Sequence, residues 1–172
     1  MELFILFLTL CILAHIIRTT YELLKIRNKI NSENRIVFIL IFSNMVVLWI
    51  SWFNLCQADP YKIALPASIH YLGLAVVALG LYLFFASLFR VRKFENYHGE
   101  LITNGIYRYL RHPMYLGFIC WMAGGALYFR SGTAMIMTII FTVNIIVWKK
   151  LEEVQLQRTF ADYKEYMKKT YF

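Results

Sequence analysis

The stretch IVFILIFSNMVVLWISWFNLC, residues 36–56, decides the fold. It runs for 21 residues without one charged side chain. About 20 predominantly apolar residues in a helix are enough to cross the hydrocarbon core of a bilayer. Nothing in the stretch alternates with the period of two that marks a half-buried strand. We therefore predict a membrane-spanning helix here.

Further apolar runs lie on both sides of this helix. They cover residues 67–89, 114–129 and 132–148, together with 3–17, which extends further if Arg18 reaches the membrane interface. The last two runs are 16 and 17 residues long and only Arg130 and Ser131 separate them. They are slightly short for the membrane, and they predict a tight helical hairpin. The sequence thus predicts an all-α integral membrane protein with five transmembrane helices.

Composition excludes the main soluble classes. Of the 172 residues 60% are apolar and only 16% are charged, whereas soluble domains carry about 25% charged residues. A soluble globule, a disordered chain and a nucleic-acid-binding domain are excluded, so we expect no nucleic-acid partner. Cys11, Cys56 and Cys120 lie inside apolar runs without a metal-ligand spacing, and we interpret them as buried small apolar residues, with no metal site.

The basic residues predict the orientation in the membrane. Sixteen of the 18 lysines and arginines fall in residues 18–35, 90–111 and 149–169, and the other two are Lys62 and Arg130. Five spans place the three basic segments on one side, which the positive-inside rule makes cytoplasmic. We therefore expect the N-terminus outside, the C-terminus in the cytoplasm, and residues 3–17 as a retained anchor rather than a cleaved signal peptide.

Two cytoplasmic segments are more than connectors. Residues 90–113 are long for a loop and contain the turn signal Asn104-Gly105. Residues 149–169 have the periodicity of an amphipathic helix, whose apolar face holds Leu156, Phe160, Tyr163 and Met167. We divide the chain into a three-helix membrane anchor, 1–89, and a catalytic region, 90–172. The catalytic region combines the 90–113 segment, the short hairpin and the C-terminal amphipathic helix.

The sequence Arg111-His112-Pro113-Met114-Tyr115-Leu116-Gly117 concentrates groups that bind anions. Proline is favoured in the first turn of a helix, so the fourth span is predicted to begin near Pro113. Free N–H groups and the positive end of the helix dipole then lie beside Arg111, His112 and Tyr115. Alternatively, Arg111 contacts lipid headgroups and His112 caps the helix.

Other polar residues are weaker candidates. Glu152 and Glu153 follow the fifth span and either hold a cationic cofactor group or form a solvated face with Lys149 and Arg158. Polar side chains inside the predicted spans are candidates for a buried pocket or for bonds between helices: His15, Asn44, His70 and Asn144. The glycines of the spans predict close approach of helices: Gly73, Gly80, Gly117, Gly124 and Gly125.

Two blocks of the sequence form a joint pattern. The first is LITNGIYRYLRHPMYLG, residues 101–117. The second has the pattern Glu152-Glu153-x-x-Leu156-x-x-x-Phe160, followed by Tyr163-x-x-Tyr166. Together the two blocks resemble the signature of the isoprenylcysteine carboxyl methyltransferase family of integral-membrane enzymes. The resemblance implies methyl transfer from S-adenosylmethionine to a lipophilic acceptor that enters from the bilayer. That acceptor is a carboxylate of the isoprenylcysteine type or another small lipid or polyketide. A bacterial or archaeal plasma membrane is favoured over the endoplasmic reticulum.

The resemblance also implies site residues. The cofactor is expected on the cytosolic side, bound by Tyr107, His112, Pro113, Tyr115, Leu116, Glu152 and Glu153. Arg111 is expected to meet the acceptor and to act in catalysis. Asn144 is expected to bind substrate because of its place in the fifth span, one turn before Trp148 and close to this site. A carboxylate acceptor is already a nucleophile. Glu153 or Tyr115 would serve as the base for an acceptor that must lose a proton.

Three alternatives stay open at this point. The chain resembles phospholipid N-methyltransferases in reaction class. Membrane sterol reductases, which use NADPH, resemble the family in their C-terminal part but are much longer. A membrane adaptor without catalysis would keep the same fold.

Overall fold

The computed structural model describes residues 1–31, 34–90 and 101–172. Regular structure in these ranges is helical, apart from isolated bridges that pair Lys62 with Ser131 and Leu110 with Tyr171. The helices are α1 (Glu2–Ile26), α2 (Arg35–Ala58), α3 (Ala67–Leu88), α4 (Pro113–Tyr128), α5 (Gly132–Thr159) and α6 (Tyr163–Lys169), and a 3₁₀ turn covers Gly105–Arg108.

Four of the described helices, α1, α2, α3 and α5, are long and apolar enough to cross a membrane. Large apolar side chains such as Ile36, Leu40 and Ile139 point outward and are 64–68% exposed. An apolar exterior on long helices is what a lipid environment requires. The chain is therefore an all-α integral membrane protein. Helix α4 has 16 residues, fewer than the usual lower limit of about 17 for a span.

Glycines bring α3 and α4 together as the most closely packed helix pair. A Cβ on Gly80 would lie 2.7 Å from the Gly117 carbonyl oxygen, and one on Gly124 would lie 2.7 Å from the Gly73 carbonyl oxygen. Contacts this short leave no room for a side chain, so the two backbones touch directly. The predicted role of these glycines in helix packing is confirmed.

The connections α2–α3 and α4–α5 meet at one end of the bundle, which we call the hairpin end. The Gly132 N–H donates to the Tyr61 carbonyl at 2.9 Å, and the Ile63 N–H to the Arg130 carbonyl at 2.9 Å. Buried Asp59 accepts hydrogen bonds from the Ser131 hydroxyl, from the Thr133 N–H at 2.9 Å and from the Tyr61 N–H at 2.9 Å. One carboxylate therefore joins the two connections.

Asp59 gives this end a pH dependence. Burial raises the pKa of Asp59, but the hydrogen bonds from Ser131, Tyr61 and Thr133 outweigh burial and leave that pKa below its ordinary value. A lowered folded-state pKa stabilises the fold above the ordinary value, and the stabilisation is lost as the pH falls through the folded pKa.

We expect Asp59→Asn to lower the free energy of unfolding at pH 7 by about 1.5–3 kcal/mol, the contribution of a charged hydrogen-bonded group. The loss should shrink as the pH falls below about 4, because the unfolded carboxyl takes up its proton there and the folded carboxyl, with its lowered pKa, follows only at lower pH. Thermal unfolding in maltoside between pH 3 and 7 measures both effects. Asp162→Asn, at an exposed aspartate, is the matched control. A pH-independent difference between Asp59→Asn and the parent would contradict this role.

The C-terminal segment differs from the single helix predicted over residues 149–169. Helix α5 continues to Thr159, Phe160 adopts an extended backbone with φ −118° and ψ 116°, and α6 begins after Asp162. The break lets α6 turn back toward the beginning of α4. In the 90–113 segment, Gly105 has φ +60° and begins the 3₁₀ turn, as the Asn104-Gly105 signal predicts. Residues 91–100 of that segment lie outside the described residues.

Candidate active site

A cavity of about 630 Å³ opens at the end of the bundle opposite the hairpin end. We call this the site end. Its polar wall comes from α1, the beginning of α4, the end of α5 and the C-terminal segment. The residues of this wall include Arg18, Lys25, Arg111, His112, Tyr115 and Glu152. Its apolar wall includes Phe38, Phe42, Met45 and Trp49 of α2 and Phe84, Phe85 and Leu88 of α3. The cavity thus joins a charged region to an apolar one inside the bundle.

His112 and Glu152 occupy the polar wall together. His112 holds the N-cap position of α4, but its side chain makes no cap hydrogen bond. Its Nδ1 instead lies 3.9 Å from Oε2 of Glu152, and the Tyr115 hydroxyl hydrogen-bonds the same carboxylate. His112 therefore occupies the cap position of the helix, as the alternative has it, but its ring makes no cap bond and belongs to the cavity wall.

Arg111 ties three segments together. Its Nε donates to Glu153 Oε1 at 3.0 Å, and its Nη1 donates to the Met167 carbonyl at 3.0 Å and to the Thr170 carbonyl. Its backbone N–H donates to the Tyr171 carbonyl at 3.0 Å. The guanidinium lines the cavity and is 13% exposed. Arg111 therefore fixes the C-terminal segment against α4 and α5, and it is not a lipid-facing residue.

Glu153 is buried behind this wall. Besides Arg111, its Oε1 lies 3.4 Å from His112 Nε2 and 3.8 Å from Lys149 Nζ. It is not among the residues that line the cavity. The geometry makes Glu153 the anion that orients Arg111 and His112 from behind, and the prediction that it contacts cofactor or acts in catalysis stays a prediction.

Tyrosines of the loop and the tail complete the wall. Tyr107, Tyr163 and Tyr166 line the cavity, and the Tyr166 hydroxyl donates to the Tyr107 carbonyl at 2.6 Å. Burial raises the pKa of Tyr166 to about 12 and raises the pKa values of Tyr107 and Tyr163 above their ordinary value. These phenols stay protonated at neutral pH, so they offer ring faces and O–H donors rather than bases.

Other predicted residues lie behind the wall. Pro113 and Leu116 belong to the first turn of α4 but do not line the cavity. Asn144 donates from Nδ2 to His15 Nδ1 at 3.0 Å, while the Trp148 indole donates to the Thr19 hydroxyl at 2.8 Å. This network connects α5 to α1 and positions Trp148, which does line the cavity. Asn144 is thus placed behind the cavity, and its predicted contact with substrate stays untested.

Sequence reasoning missed the contribution of the first three helices. On α1, Arg18 and Lys25 line the cavity with Glu22 between them. The spacing of 4 and 3 residues puts all three on one helix face, a signal visible in the sequence. On α2, Phe38, Phe42, Met45 and Trp49 follow the same periodicity. The region predicted as an anchor therefore supplies part of the wall.

The chain is similar in sequence to known membrane enzymes. The family model described as phospholipid methyltransferase matches residues 68–163, more than half of the chain. The chain belongs to this family of membrane methyltransferases. The match contains most of the polar wall, including Arg111, His112, Tyr115 and Glu152, and leaves α1 and α2 outside it.

Individual relatives carry a more specific name. The chain is 36% identical over 76 residues to the protein-S-isoprenylcysteine O-methyltransferase of Schizosaccharomyces pombe, covering 40% of this chain and 30% of the relative. It is 33% identical over 105 residues to a probable enzyme of that name from Oryza sativa subsp. indica, covering 57% and 50%. The chain spans at most half the length of these relatives. No solved structure matches the chain significantly.

Proposed function

We propose that the chain is an S-adenosylmethionine-dependent methyltransferase that methylates the carboxylate of a lipophilic acceptor of the isoprenylcysteine type. The observation that carries the proposal is a cavity in which a charged wall meets an apolar wall at the end of a membrane bundle. A soluble cofactor and a membrane-embedded acceptor need such a meeting place. The volume of about 630 Å³ lies within the range of about 300–1,000 Å³ typical of ligand sites.

The chemistry of the wall fits the cofactor. The Glu152 carboxylate suits its ammonium, and the ring faces of Tyr115 and Trp148 attract cationic groups. His112 and the first N–H groups of α4 suit its carboxylate. The bound cofactor supplies an electrophilic methyl group on a sulfonium. The chain's own contribution is to hold the reactants in line and to exclude water.

The acceptor needs little help from acids or bases. A carboxylate already carries the attacking lone pair, which forms the new C–O bond while the methyl–sulfur electron pair stays with sulfur. The buried phenols that line the cavity remain protonated and donate hydrogen bonds. The C-terminal segment, fixed by Arg111, closes the polar wall on one side. Glu153 acts in this proposal as a positioning residue for Arg111 and His112.

A second candidate, N-methylation of a phospholipid amine, is favoured by the description of the family model. The charges of the cavity favour an anionic acceptor instead. Among the described lysine, arginine and acidic residues that line the cavity, Arg18, Lys25 and Arg111 oppose Glu152 alone. Glu22 and Glu153, behind the lining, pair with Arg18 and Arg111, so the preference for an anionic acceptor comes from the cations that face the cavity and not from a net positive charge of the wall.

The orientation is part of the proposal. We infer that α4 completes a five-span bundle, since the α2–α3 and α4–α5 connections share the hairpin end and Phe4 lies there, with its ring 6.3 Å from that of Tyr61. The site end then faces the cytoplasm by the positive-inside rule. A reporter fused after Phe172 is expected in the cytoplasm and one inserted at Ser131 outside. Both reporters on one side of the membrane would contradict five spans.

Methyl transfer by the purified chain tests the function directly. The full chain in maltoside is incubated with methyl-labelled S-adenosylmethionine and N-acetyl-S-farnesylcysteine, the corresponding carboxamide, or phosphatidylethanolamine. We expect label in a base-labile methyl ester with the carboxylate alone. Label in phosphatidylethanolamine alone would support the second candidate. Absence of cofactor binding in the folded protein would contradict both.

A further inference from the structure

Helix α1 presents a charged face to the cavity. Arg18, Glu22 and Lys25 occupy successive turns of one face, and Glu22 and Lys25 are buried at 3% and 4% exposure. Helix α1 runs past Arg18 to Ile26, and Arg18 and Lys25 both line the cavity. All three lie outside the segment that matches the family model.

The charged face is held by neighbouring groups. Arg18 forms an ion pair with Glu22, and its guanidinium carbon lies 5.3 Å from the Tyr21 ring centroid and 5.9 Å from that of Trp148. The Lys25 ammonium lies 5.7 Å from the Tyr21 ring centroid. Because Trp148 is itself bonded to Thr19, α1 and α5 hold the Arg18 guanidinium in a defined place. A charge buried in a membrane bundle is costly and marks a functional site by default.

The contacts that Arg111 makes within the protein leave recognition of an anionic ligand to the charged face of α1. Arg111 is the cation that the sequence assigns to the acceptor, yet Glu153, Met167 and Thr170 take its Nε and Nη1 donors. Arg18 and Lys25 lie across the same cavity, and both interact electrostatically with Glu152. A ligand near Glu152 therefore comes within the field of two α1 cations.

We propose that Arg18 and Lys25 form the recognition site for the anionic head of the lipophilic acceptor. This proposal rests on the proposed function and names the residues that select its substrate. The apolar tail of the same acceptor would lie along Phe38, Phe42 and Met45 of α2, which line the cavity beside them. Helices α1 and α2 thus determine the acceptor, while α4 and α5 hold the cofactor.

Binding without turnover tests the proposal. N-acetyl-S-farnesylcysteine and its carboxamide are titrated into the full chain in maltoside without cofactor, with tryptophan fluorescence as readout, since Trp49 and Trp148 line the cavity. We expect the parent to prefer the carboxylate at least 10-fold. Arg18→Gln and Lys25→Gln should each weaken carboxylate binding about 10- to 100-fold and leave carboxamide binding unchanged.

Matched variants separate charge from folding. Arg27→Gln and Lys29→Gln replace exposed residues just after the same helix and should keep the parent's preference. The double variant Arg18→Gln/Glu22→Gln removes both charges of the ion pair, and it should lose the preference as Arg18→Gln does. Acceptor binding is measured without cofactor, so any change in S-adenosylmethionine affinity that follows from removing a cation near Glu152 does not enter the comparison.

Two results would overturn the proposal. One is a parent-like carboxylate preference in the Arg18→Gln and Lys25→Gln proteins. The other is an equal loss of carboxylate and carboxamide binding, which would indicate a packing role for α1. Failure of the proposed function is a different outcome, because the parent itself would then neither bind S-adenosylmethionine nor transfer its methyl group.

Discussion

Arg111→Lys is expected to lower turnover about 100-fold, the effect of misplacing reacting groups by about 1 Å. The guanidinium reaches Glu153 with one nitrogen and the carbonyls of Met167 and Thr170 with another. An ammonium is a compact point charge and lacks this planar fork. Lysine therefore cannot keep the C-terminal segment, whose Tyr163 and Tyr166 line the cavity, fixed to α5.

Hydrogen exchange distinguishes this role from simple contact with the acceptor. In Arg111→Lys, amide exchange over residues 163–171 should become faster, and the KM for cofactor should rise along with the loss of kcat. Arg108→Lys, at an exposed arginine in the preceding 3₁₀ turn, is the control and should match the parent. If Arg111→Lys keeps the parent's exchange protection and at least half its turnover, the tail contact does not organise the site.

Local signals in the sequence predict where helices begin and turn. Pro113 begins α4 and Gly105 takes the positive φ that its turn requires, as predicted. Ser131, for which no cap was predicted, caps α5 by accepting the Ala134 N–H at 3.1 Å. Each signal acts within a few residues, through a fixed φ, an absent Cβ or a side-chain acceptor. The membrane class is also predictable from local sequence, because a long apolar run is recognised without knowing what it packs against.

The partners of the polar residues are a matter of tertiary packing. Arg111 binds the carbonyls of Met167 and Thr170, and every residue has a carbonyl, so no sequence pattern marks these acceptors. Arg18 and Glu152 come close together because α1 packs against α5. The hydropathy of these two helices does not predict that they pack together. The 3.6-residue periodicity also did not predict the break at Phe160. Leu156, Phe160 and Tyr163 all line the cavity, so the apolar pattern continues across the break.

Glu152→Gln is expected to weaken S-adenosylmethionine binding about 10- to 150-fold, which corresponds to the roughly 1.5–3 kcal/mol of a charge-assisted hydrogen bond. The substitution keeps the shape and an oxygen for the Tyr115 hydroxyl, so packing is preserved and only the negative charge is lost. Titration calorimetry in maltoside gives the Kd. Glu165→Gln, whose side chain is 63% exposed beside Lys168, is the control and should bind like the parent.

An analogue of the product shows which part of the cofactor Glu152 meets. S-adenosylhomocysteine and its analogue without the α-amino group are compared in the parent and in Glu152→Gln. If the carboxylate holds the ammonium, removing the amino group weakens binding to the parent by about the same factor as Glu152→Gln does, and weakens binding to the variant little further. Additive losses would mean that Glu152 acts elsewhere. The ammonium would then need another acceptor, and since Glu152 is the one acidic residue among the described residues that line the cavity, the cofactor would have to lie partly outside it.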